Sequence, residues 1–76
     1  MAESKWYTQK AAASTFVRQA VATGQQELGA VVEGLQSQGV SSKNALKAIY
    51  AEVLAGTVSM SGKWSDEKSI LTKAGA

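Results

Sequence analysis

A chain of 76 residues suffices for one small domain, a size at which a single core leaves only about 3–5 kcal/mol of net stability. It contains neither cysteine nor histidine. That removes disulfides, thiolate and imidazole metal ligation, and the side chains most used in general acid–base and nucleophilic catalysis. With 45% hydrophobic residues, 18% charged residues and a net charge of +2, the composition argues against disorder and permits an acidic partner without requiring one.

Proline is absent and alanine abundant, which favours helices before any pattern is counted. In "SKWYTQKAAASTFVRQAVATG", Trp6, Ala13, Phe16, Val17, Ala20 and Val21 recur at helical spacing, with Ser4 or Thr8 as the cap and Gly24 as the stop. The segment "QQELGAVVEGLQSQG" predicts a second helix with Leu28, Val31, Val32 and Leu35 on one face and Gly39 at its end. Gly29 and Gly34 lie inside it, each costing about 1 kcal/mol relative to alanine, so this helix depends on close packing against a neighbour.

The third helix is the clearest. It starts after Ser41 or Ser42, turns Ala45, Leu46, Ile49, Val53 and Leu54 inward and stops at Gly56. Alternation of Val58, Met60 and Trp64 around Ser61-Gly62 predicts a minimal hairpin or an extended loop at 57–65. A short fourth helix is expected in "SDEKSILTKAGA", capped by Ser65, with Asp66 and Glu67 in its first turn, Ile70 and Leu71 docked, and Lys73 in its last turn. The expected fold is therefore all-α: one domain over 1–76, a compact bundle of three main helices plus a short C-terminal helix.

The sequence carries no arrangement of residues typical of catalysis. Glu27 and Glu33 sit six residues apart, away from one another around a helix, and Asp66 with Glu67 has a capping explanation. "GTVSMSGKWS" fails as a phosphate-binding loop because five residues separate its glycines and a tryptophan follows the lysine. The same run raises an aromatic platform for single-stranded nucleic acid, against which five aromatics at mostly apolar helical positions read as core. No enzyme, cofactor or metal is expected.

Two binding roles remain. In "GVSSKNALKAIY", Lys43 stands in the first turn of a helix whose amides and dipole favour anions. Ser41, Ser42, Asn44, Lys47 and Tyr50 complete a candidate anion or nucleic-acid contact. The run "VVEGLQSQGVSSKNALKAIY" resembles a helix-turn-helix, which implies a second helix able to enter a major groove. It departs from that family's pattern at Leu35, where a small residue is usual, and at Gln38, where an apolar one is usual. The rival role, ranked first on sequence, is protein–protein interaction or assembly, as a structural component, adaptor or inhibitor, with self-association included. Its candidate interface is Trp6, Tyr7, Phe16, Gly29 and Gly34. A small, compact protein of this kind suits a virus, as such a component, or a bacterium. No segment approaches the roughly 18–20 apolar residues that span a bilayer, and the opening "MAESKWYTQK" lacks the apolar core of a signal peptide. A soluble, intracellular protein is the expectation.

Overall fold

The computed structural model describes the backbone of residues 2–74 and the side chains of 9–74. Its elements run α1 (Ala2–Ala22), β1 (Gln26–Glu27), α2 (Leu28–Ser37), α3 (Ser42–Ala55), β2 (Val58–Ser61) and β3 (Ile70–Lys73). The strands form one antiparallel sheet in the order β1-β3-β2. The fold is therefore α+β, which corrects the all-α expectation: the described residues form three helices, and a strand replaces the fourth.

The correction has a local cause. Asp66 Oδ1 accepts the Lys68 amide at 2.9 Å, the Ser69 amide donates to the Asp66 carbonyl at 3.0 Å, and the buried Ser69 hydroxyl donates to the Lys63 carbonyl at 2.7 Å. These bonds fold 63–69 into a closed turn, using an acid that the helical reading had assigned to a first turn. Beyond it, Ile70–Lys73 gains a ladder on both flanks, Glu27↔Ile70 and Gln26↔Leu71 on one side and Ser61↔Ile70 to Val58↔Lys73 on the other. A four-residue helix offers no comparable set of bonds. The hairpin expected at 57–65 is consequently larger: β2 and β3 are its arms and residues 62–69 its tip. Ser61-Gly62 is not its two-residue turn. Gly62 holds φ +122°, and a Cβ there would run into the Ser69 hydroxyl.

The α2–α3 connection is built from hydrogen bonds that only a left-handed residue permits. Gly39 has φ +90°; its amide donates to the Gln36 carbonyl at 3.0 Å, and the Val40 amide reaches back to the Leu35 carbonyl at 3.1 Å. Val40 and Leu35 are both buried, so the apolar contact that accompanies this closure is present. Leu35 thus serves as a core residue at the position where a helix-turn-helix usually has a small one, and Gln38 is exposed in the turn. At the other end of α2, Glu27 supplies no side-chain cap. The Leu28 and Gly29 amides instead donate to the carbonyls of Ser69 (2.7 Å) and Glu67 (2.8 Å), so the hairpin tip satisfies the first turn of α2.

The core gathers Ala13, Val17 and Val21 from α1, Leu28, Val31 and Leu35 from α2, Val40, then Ala45, Ala48 and Ile49 from α3, with Val58 and Leu71 from the sheet. Most inward assignments hold, and α3 is the exception. Its buried side is Ala45, Ala48, Ile49 and Glu52, while Leu54 is 69% exposed. Glu52 can point inward because the Arg18 guanidinium lies 3.3 Å from Oε1 and the Thr57 hydroxyl donates to the same oxygen at 2.7 Å.

Candidate functional site

Helix α3 begins at a true cap. Ser41 is extended (φ −66°, ψ 157°) and its hydroxyl accepts the Asn44 amide at 3.2 Å, while its carbonyl accepts the Ala45 amide at 2.8 Å. Ser41 is therefore engaged in holding the helix, and Ser42 is the first helical residue. The other candidate contacts sort by exposure: Ser42, Lys43, Lys47 and Tyr50 are open to solvent, and Asn44 is half-buried.

Spacings of four, three and four put Lys43, Lys47, Tyr50 and Leu54 in one exposed stripe along α3. The only acid of this helix is Glu52, which faces Arg18 and Thr57 on the opposite side. The stripe consequently carries positive charge without a neutralising partner on its own element. The hairpin tip stands beside it and brings Trp64 against Tyr50, with ring centroids 5.5 Å apart and planes at 70°. Lys43, Leu46, Lys47, Tyr50 and Trp64 line an open groove between helix and tip.

Charge changes sign across Trp64. Leu46 and Trp64 also border a neighbouring cleft toward α2, and that cleft carries Glu33 and Glu67. The tip itself is mixed, with Lys63 and Lys68 exposed beside Asp66 and Glu67. No family model, curated protein or solved structure matches the chain.

Of the candidate protein-interface residues, Trp6 and Tyr7 lie outside the described side chains. The two glycines have internal explanations. A Cβ on Gly34 would lie 2.5 Å from Cζ of Phe16, and one on Gly29 would lie 2.8 Å from the Glu67 Cβ and 3.2 Å from its carbonyl oxygen. Gly34 lets the Phe16 ring of α1 settle on α2, and Gly29 lets the hairpin tip reach the start of α2. The close approach that the sequence implied is made within the chain at both positions.

Sequence reasoning left Trp64 out of the candidate site, placing it in the alternating 57–65 run and reading the aromatics as core; it is 36% exposed at the hairpin tip. The available signal was its setting in "SGKWSDEK", polar on every side, between two short runs of alternating burial. Among the described residues, no cluster of three metal-ligating side chains occurs and no helix is long and apolar enough to cross a membrane.

Proposed function

We propose that the chain binds nucleic acid through α3, with the hairpin tip as a flanking contact. One observation carries this reading: the exposed stripe of α3 presents Lys43 and Lys47 near its N-terminal end, while the only acid of the helix is turned away and paired with Arg18. Phosphate contacts by lysine and by a helix start position such proteins on a duplex. The element order adds support, since α2 and α3 joined by a tight turn resemble a helix-turn-helix, in which the second helix of the pair enters the major groove. This reading is preferred to protein assembly because Gly29, Gly34 and Phe16, three of the five residues on which assembly rested, have packing roles inside the chain. It implies a location where nucleic acid is stored or read.

The test is binding of labelled duplex DNA at low and moderate salt, with the Lys43→Ala/Lys47→Ala variant alongside. Affinity should fall with salt, and the variant should bind more weakly with a slope shallower by about one unit per lysine. Salt-independent binding, or a variant equal to the parent, removes α3 from the interface. A protein partner remains the second reading, favoured by Leu54 at 69% exposure on the same stripe. It predicts that Leu54→Lys abolishes association with that partner while duplex binding is absent.

A further inference from the structure

The groove between α3 and the hairpin tip has a chemistry that phosphate contact alone leaves unused. Lys43 and Lys47 border it one turn apart, Leu46, Tyr50 and Trp64 line it, and none of its lining residues is acidic. Tyr50 is 50% and Trp64 36% exposed, so each ring leaves part of its surface open to the groove. Their rings meet nearly at right angles. Such a pair forms a corner in which a flat aromatic group can stack on one ring with its edge against the other.

A paired base inside a duplex has both faces covered by its neighbours and offers only its edge to a protein. An unpaired base offers a face, and its nucleotide carries a phosphate on either side. Aromatic rings beside lysines match those two demands together, which is how single-stranded nucleic acid is held. We propose that this groove takes an unpaired base next to a duplex, so that the target is a junction of double- and single-stranded DNA. The proposal rests on the nucleic-acid reading above: α3 supplies the duplex contact, and the Tyr50–Trp64 corner supplies the contact to the first unpaired nucleotide.

Three labelled probes of one sequence test it with the full chain at low salt: a blunt duplex, the same duplex with a single-stranded tail, and the single strand alone. The tailed duplex should bind about tenfold tighter than the blunt one. Trp64→Leu, which keeps apolar bulk without a ring, should bring that ratio to about one. If Trp64→Leu lowers the melting temperature, Tyr50→Leu on the helix replaces it, read by the same ratio. In a Trp6→Phe background Trp64 is the sole tryptophan, and its fluorescence should be quenched by the tailed probe and not by the blunt one. Equal affinity for tailed and blunt probes without quenching overturns the junction proposal and leaves duplex binding intact. A single strand that binds as tightly as the tailed duplex overturns it too. No binding to any probe overturns both this proposal and the function on which it rests.

Discussion

A methyl group added at Gly34 has nowhere to go, because the Phe16 ring already occupies the space a Cβ would fill. Alanine there gains about 1 kcal/mol of helix propensity and forces the ring to move, an overpacking cost of about 1–3 kcal/mol. Gly34→Ala should therefore be net destabilising by about 1 kcal/mol in urea unfolding, and Phe16→Leu should reverse the sign of its effect. If Gly34→Ala stabilises the chain with Phe16 in place, the α1–α2 approach is looser than described. Glu52 offers a second test at this scale. Its carboxylate is buried, and of its two partners Thr57 bonds at 2.7 Å, whereas the Arg18 side chain is half exposed at 3.3 Å. Thr57→Val removes the shorter bond, leaves that buried oxygen with the Arg18 pair alone, and should cost about 1–3 kcal/mol. Arg18→Met loses a solvent-screened pair and should cost less than about 1 kcal/mol. The reverse order in thermal melts would show that the ion pair, not the hydroxyl, keeps Glu52 inside.

Among the elements, α3 was read from its ends: Ser41 caps it, Gly56 in the left-handed region stops it, and both boundaries are set by side-chain chemistry within a few residues. Its rotation was misjudged by one position, because apolar spacing assigns Leu54 inward and gives no hint that the Thr57 hydroxyl, beyond the end of the helix, and the distant Arg18 guanidinium together make Glu52 an acceptable core residue. β1 is two residues long and carries no periodicity to detect. β3 failed for a different reason. Ser65, Asp66 and Glu67 followed later by Lys73 satisfy a helix dipole, yet the same aspartate also closes a turn on its own backbone, and only the two neighbouring strands decide between them. The candidate site was visible to the same degree: the lysines and Tyr50 follow from α3, but Trp64 joins them only through the hairpin. That hairpin and α2 are mechanically joined through the amides of Leu28 and Gly29. Gly62→Ala, which strains a φ of +122° and crowds Ser69, should raise hydrogen exchange at Leu28 and Gly29 while the middle of α3 stays protected. Unchanged exchange at those two amides would separate the tip from the helix.

For the molecule as a whole, a Cα radius of gyration of 11.5 Å agrees with the value of about 11 Å expected of a packed chain this long. The long axis of 36 Å accommodates α1, which at 21 residues is about 31 Å in length. Leu71 is fully buried on the strand that lies between β1 and β2 and packs against α1. Leu71→Ala should cost about 2–5 kcal/mol, comparable to everything a domain of this size has in reserve. Circular dichroism should find that variant largely unfolded at 37 °C, and a cooperative melt near the parent's would mean the sheet is dispensable to the helices.

The central strand is also the last of the three along the chain, and it joins residue 26 to residue 71 through β1. The helices can form their local turns early, but the first strand must wait, unpaired, for a partner that the ribosome makes near the end of the described segment. Until that partner emerges, the nascent chain holds a helix pair whose second half is sound and whose α2 start lacks the carbonyls that close it. Emergence of β3, rather than growth of any one helix, is the event that locks the fold.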